Sequence, residues 1–208
     1  MRVDPMERME SLVALERTLW ARGQRCAGID EVGRGPLAGP VMAGCVVLTA
    51  DALIPGVDDS KKLSAKRRAM LSPLIVEGAR FVGVGSVSAA DIDEIGIANA
   101  TRRAMEMAAR GAACDVFLVD AVPGLTLPGQ IRSIVHGDST SYLIAAASIV
   151  AKVARDAYME ELDAIYPCYG FAKHKGYGTA AHIAALREYG PCPEHRRCFI
   201  RGILGADA

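Results

Sequence analysis

The chain has no net charge, no C-x-x-C pair and no apolar run near the ~20 residues that a membrane span needs. Its 24 basic residues are balanced by 24 acidic ones, which argues at first against gripping nucleic acid by bulk positive charge. The N-terminal segment is charged throughout and lacks the apolar stretch of a secretory signal. With six widely spaced cysteines, this predicts reduced thiols in a cytoplasmic protein. One cluster, Cys192-x-x-His195-x-x-Cys198, imitates half a zinc site, but no second ligand pair accompanies it. No linker, internal repeat, low-complexity segment or heptad pattern is evident, so residues 1–208 read as one domain and a monomer.

What is present is a core-forming composition, 51% hydrophobic and 23% charged. Apolar spacing predicts a surface helix over Met6–Arg22 and strands over Cys26–Val32 and Val41–Thr49. Ser64 is placed to cap a helix running to about Gly78, and Phe81–Val87 alternates as a strand does. Helical stretches starting near Ser88 and Asn99 follow, then short apolar runs at Val116–Val119 and Ile131–Val135. Ser139 or Ser141 can cap a long helix from Tyr142 to about Leu162. A glycine- and lysine-rich loop, Gly170–Gly178, leads to a helix capped by Thr179. The expectation is a mixed α/β domain with a small helical extension over about 179–208.

Four carboxylates fall at the ends of these elements. Asp30 and Glu31 close the first strand, Asp120 ends a buried run, and Asp138 precedes the long helix. Each alone is an ordinary turn or cap acid. If the strands carrying Asp30 and Asp120 are neighbours, however, the acids converge in one crevice. Carboxylates that close repel unless a cation neutralises them, and an all-oxygen ligand set suits Mg²⁺ or Mn²⁺. Paired ions of this kind support phosphodiester hydrolysis. One difficulty is geometric: Asp30 and Glu31 point to opposite faces of a regular strand, so the strand is expected to break at Glu31.

The following glycines, Gly33-Arg34-Gly35-Pro36-Leu37-Ala38-Gly39, are spaced G-x-G-x-x-x-G and lead into a strand. A dinucleotide fingerprint is spaced differently and opens a helix. The segment reads either as a tight turn or as a backbone edge for phosphate or sugar.

Together these residues resemble ribonuclease HII, the type 2 ribonuclease H family. The resemblance begins at Gly28-Ile29-Asp30-Glu31-Val32-Gly33-Arg34-Gly35-Pro36-Leu37-Ala38-Gly39 and continues through Asp59-Ser60-Lys61-Lys62-Leu63-Ser64. It resumes at Val119-Asp120, Gly137-Asp138, Ile144–Ile149 and Ala151–Asp156, then at Tyr169–Phe171, His174–Tyr177 and His195–Arg197. It implies a ribonuclease H-like fold and an endonuclease cutting the RNA of RNA–DNA hybrids, including single ribonucleotides embedded in duplex DNA. It further implies Asp30, Glu31, Asp120 and Asp138 as the catalytic, metal-binding carboxylates for Mg²⁺ or Mn²⁺. It assigns Gly33, Arg34 and Gly35 to the ribose 2′-hydroxyl and Tyr177 to the junction sugar. Lys61 and Lys62 are expected phosphate contacts.

Asp156 lies 18 residues after Asp138, roughly 27 Å along a helix, and is read as an intrahelical partner of Lys152. Ala121, Thr140 and Cys198 depart from the family pattern without removing a catalytic group.

The zero charge conceals an alternation. Residues 1–60 carry 6 basic and 9 acidic side chains, and 111–169 carry 3 and 7. Residues 61–110 carry 9 and 5, and 170–208 carry 6 and 3. The proposed ligands fall in the acidic blocks; Lys61, Lys62 and Tyr177 fall in the basic ones.

Overall fold

The computed structural model describes residues 4–204. Five strands form one sheet: β1 (Cys26–Val32), β2 (Val41–Val47), β3 (Phe81–Val87), β4 (Val116–Asp120) and β5 (Gln130–Ile134). Their spatial order is β3-β2-β1-β4-β5. β1, β2 and β3 are antiparallel, whereas β4 and β5 run parallel to β1. The expected adjacency of the strands carrying Asp30 and Asp120 is therefore present.

One sheet face is covered by α6 (Tyr142–Ile165), with α3 (Ala65–Gly78) and the N-terminal helices beside it. The other is covered by α5 (Ile97–Ala108), with α4 (Ala89–Ile95) leading into it. Glycines set how closely these helices sit. A Cβ at Gly28 would lie 2.1 Å from the Leu143 carbonyl carbon, and one at Gly44 would lie 2.5 Å from the Ala147 oxygen. The backbone of α6 thus rests directly on β1 and β2, and the alanine run Ala145-Ala146-Ala147 is wholly buried. Ser141 caps α6 by accepting from the Ile144 N–H, and buried Glu16 accepts from the Leu143 N–H at 3.0 Å.

Several boundaries differ from the sequence expectation. The single N-terminal helix is two, α1 (Pro5–Leu12) and α2 (Ala14–Trp20), broken at the fully buried Val13. α6 runs to Ile165, one turn beyond its predicted end. Asn99 lies inside the first turn of α5, which starts after Gly96. The 170–178 loop contains a one-turn helix, α7 (Phe171–His174). Of the C-terminal extension, the structure describes α8 (Ala180–Tyr189) and α9 (Arg197–Leu204); residues 205–208 lie outside the described residues.

Candidate active site

The β1–β4 ladder stops at Ile29 opposite Val119, while β1 stays paired with β2 as far as Val32 opposite Met42. The last part of β1 therefore has an open edge on the β4 side. The expected break at Glu31 is absent: Glu31 pairs regularly with Ala43. The chain turns only at Gly33, whose φ of 89° favours glycine. Asp30 and Glu31 leave opposite faces of the strand, yet both line a cavity of about 220 Å³ at the open edge. Val32, Gly33, Arg34, Gly35, Ser60, Lys61, Lys152 and Tyr177 complete its lining. Of the residues predicted from sequence, seven meet here.

Asp120 ends β4, one residue past the pairing of Val119 with Ile29. One of its oxygens accepts from the Ala121 N–H at 3.1 Å and the Gly137 N–H at 3.0 Å. Alanine after Asp120 therefore keeps a backbone donor to the carboxylate. Asp138 sits buried in the turn Gly137–Ser139 rather than capping α6. Thr140 tightens that turn, its hydroxyl donating to the His136 carbonyl at 3.0 Å. Lys61 reaches Asp138 at 3.0 Å. Lys62 stands apart, 3.9 Å from Asp58. Arg34 lies 3.6 Å from Glu31.

Electrostatics tie the acids together. Burial raises the Asp30 carboxyl well above the usual carboxylate range, and the charges of Glu31, Asp120 and Asp138 raise it further. Burial also raises Glu31; Arg34 pulls it down and Asp120 pushes it up. Burial alone would depress the Lys61 ammonium, but its bond to Asp138 leaves it raised.

Among the described residues, no group of three or more His, Cys, Asp or Glu side chains stands ready-arranged to hold a metal ion. Each acid has other partners: Asp138 pairs with Lys61, Glu31 lies near Arg34, and Asp120 accepts from two backbone N–H groups. The donor chemistry nevertheless fits a hard divalent cation. The set is all oxygen, and Asp30 and Glu31 are raised by burial and by neighbouring negative charge that such an ion would relieve.

Two arginines that sequence reading left without a role build the loop. Arg155 and Arg196 are fully buried. Arg155 donates to the carbonyls of Pro40, Ala38 and Lys175 at 3.0, 3.1 and 2.9 Å. Arg196 donates to Gly39, Arg34 and Gly33, the last at 2.6 Å. The Leu37 N–H donates to the Gly176 carbonyl at 2.8 Å. The Gly-Arg-Gly loop and the segment carrying Tyr177 are thus one unit. Both arginines stand in the motif blocks, but arginine is rarely buried without a carboxylate, so sequence carried no signal of this use. Asp156 pairs with Lys152 at 2.5 Å as read, and also with Arg68 at 3.5 Å. The zinc-like triplet is only partly assembled: Cys192 Sγ lies 3.2 Å from His195 Nδ1, but both His195 nitrogens are already engaged and the Cys198 N–H donates to Asp93.

Solved structures share this architecture. Ribonuclease H2 from Pyrococcus horikoshii OT3 aligns with a TM-score of 0.72 at 25% identity, covering 86% of this chain and 97% of that one. Bst-RNase HIII solved in complex with Mn²⁺ shares the fold at a TM-score of 0.59 and 18% identity, covering 80% of this chain and 63% of that one. The fold and its acidic crevice define a hydrolase of the ribonuclease H class. The ribonuclease HII of Geobacillus thermodenitrificans (strain NG80-2) is 51% identical over 209 residues, covering 97% of this chain and 80% of that protein. The family model for ribonuclease HII matches residues 27–201. The chain belongs to the ribonuclease HII family, and its activity is that of a ribonuclease H acting on the RNA of RNA–DNA hybrids.

Proposed function

We propose that this enzyme is a single-domain endonuclease that cuts RNA–DNA hybrids and also cuts 5′ to single ribonucleotides embedded in duplex DNA. The products are 3′-hydroxyl and 5′-phosphate ends. The observation that carries this reading is the shared cavity, which sets Asp30 and Glu31 against Gly33-Arg34-Gly35 and Tyr177. A carboxylate centre therefore adjoins a backbone edge able to read a 2′-hydroxyl, the group that distinguishes RNA from DNA.

Asp30, Glu31, Asp120 and Asp138 would hold two Mg²⁺ or Mn²⁺ ions. Such ions, when bound, supply a nucleophilic water and neutralise the leaving oxygen. The chain's own groups do the rest. The exposed Gly35 backbone and the Arg34 guanidinium face the sugar edge, with the buried Gly33 setting the turn beneath them. Tyr177, 45% exposed, presents its ring beside Gly35 to pack on the neighbouring sugar. Lys61, at the rim, is placed to exchange Asp138 for a substrate phosphate. Lys62, outside the cavity beside Asp58, would add positive charge for a more distant phosphate. The six free cysteines support placement in the cytoplasm, and a monomer suffices for the chemistry.

The test is a duplex carrying one ribonucleotide, incubated in Mg²⁺ or Mn²⁺ beside a long hybrid and an all-DNA control. Cleavage of the first two and not the third is expected, with Asp120→Asn reducing the rate at least ~100-fold. Absence of cleavage at the single ribonucleotide would overturn the substrate assignment. Unchanged cleavage by Asp120→Asn would overturn the ligand assignment.

A further inference from the structure

We propose that His182 and His195 are positioning residues, a directional pair of neutral imidazoles that fixes Tyr177 against the Gly-Arg-Gly loop. The inference rests on the reading of Tyr177 as a substrate contact and deepens it.

The two rings are buried, one on α8 and the other just before α9, with their Nε2 atoms 3.0 Å apart. A contact of two such nitrogens needs one donor and one acceptor, so the rings hold opposite tautomers. The neighbours decide which. The Cys192 N–H, which can only donate, points at His195 Nδ1 at 3.1 Å, and the Cys192 thiol 3.2 Å from the same nitrogen can donate as well, so Nδ1 is bare and His195 carries its proton on Nε2. His195 therefore donates to His182 Nε2. His182 must carry its proton on Nδ1, 2.9 Å from the Tyr177 carbonyl oxygen, to which it donates. The chain runs from the Cys192 backbone through both rings to the Tyr177 backbone.

A third imidazole holds the adjoining residue. His174 stacks on His182 with centroids 4.4 Å apart. It accepts from the Gly176 N–H at 3.2 Å and bonds the Tyr169 carbonyl at 2.8 Å. All three rings are satisfied when neutral, and an added proton would cost one of them its acceptor. Phe171 and Tyr169 pack around them, and among the described residues no carboxylate bonds to any of the three. Burial, reinforced by His182, pushes His195 down to about 4, so the neutral arrangement holds at neutral pH. The Tyr177 ring is thus exposed on a backbone whose carbonyl accepts from both His182 and the Thr179 N–H.

The substitutions His182→Gln and His182→Asn break opposite ends of this chain. Glutamine places an amide where Nε2 was and abandons the Tyr177 carbonyl. Asparagine places an amide nitrogen where Nδ1 was and keeps that bond while losing His195. Steady-state cleavage of the single-ribonucleotide duplex is measured for both, for Tyr177→Ala and for the H182Q/Y177A double variant. H182Q is expected to raise KM about tenfold with a smaller change in kcat, the effect of one lost hydrogen bond. H182N should recover most of that, and in the Y177A background H182Q should add less than about twofold. An equal H182Q effect in both backgrounds would overturn the proposal, as would H182N being no better than H182Q. If Y177A alone cleaves like the parent, Tyr177 is not a substrate contact. That separate failure removes the reading beneath the inference.

Discussion

Replacing Arg196 by methionine preserves much of the side chain's length and removes every donor it offers. In the native protein its guanidinium serves the carbonyls of Gly33, Arg34 and Gly39 through four hydrogen bonds of 2.6 to 3.0 Å. Those carbonyls stay behind when the arginine goes. Each buried carbonyl left without a partner costs about 1–3 kcal/mol, so those of the buried Gly33 and Gly39 set a gross loss of roughly 2–6 kcal/mol, to which the part-buried Arg34 carbonyl adds less. Against this stands the relief of no longer burying a cation. Burial and the nearby Arg155 push Arg196 down to about 9, so it remains charged at neutral pH in a site with no ion-pair partner among the described residues. Substituting a whole ion pair by apolar groups can be neutral, but here only one side of the interaction is removed, and the polar backbone remains. The net expectation is a loss of about 3–5 kcal/mol. Lysine in its place keeps the charge but gathers its donors at one point, and should recover only part of the loss. Urea denaturation measures the stability, and kcat/KM on the single-ribonucleotide duplex measures the loop. A methionine variant within about 1 kcal/mol of the parent, with unchanged kcat/KM, would refute the claim that these bonds hold the loop.

Gly28→Ala should prevent α6 from seating on β1, because the new Cβ would sit 2.1 Å from a backbone carbon that cannot move without the helix. Destabilisation of ~3 kcal/mol or more is expected from overpacking, and a melting temperature equal to the parent's would refute it. His195 predicts acid sensitivity above the range where carboxylates titrate. Its folded value near 4 lies below the ordinary histidine value of 6.5, so the unfolded chain binds the extra proton first as pH falls. Stability is then complete above pH 6.5 and declines on acidification by roughly 2 kcal/mol by pH 5. Urea midpoints across that range should fall in the parent and much less in His195→Asn; parallel profiles would sink the assignment.

The sequence by itself determined the strand and helix periods, because alternation and helical spacing are local properties of the chain. β1 and β3 have the boundaries predicted for them, and the capping roles of Ser64 and Thr179 are as read. The ordered motif blocks, from Gly28-Ile29-Asp30-Glu31 to His195-Arg196-Arg197, also pointed to the family. A side-chain type at an element end is legible without coordinates, which is why the four carboxylates and the glycine loop stood out. What depends on distant segments was not legible. That Asp30 and Glu31 share a cavity without any break in β1 follows from where β4 stops pairing, a fact of sheet registry. The glycines of β3 read only as alternation. In the fold, a Cβ at Gly83 or Gly85 would lie 2.0 Å from a carbonyl oxygen of α5. Arg155 and Arg196 look like surface cations in one dimension, and only tertiary burial against the carbonyls of residues 33–40 and Lys175 makes them the loop's internal scaffold. Likewise, His174, His182 and His195 are merely a local excess of histidine until tertiary structure stacks the first two and hydrogen-bonds the last two. Hydrogen-bond direction, set by which backbone groups face each ring, is decided in space and not along the chain.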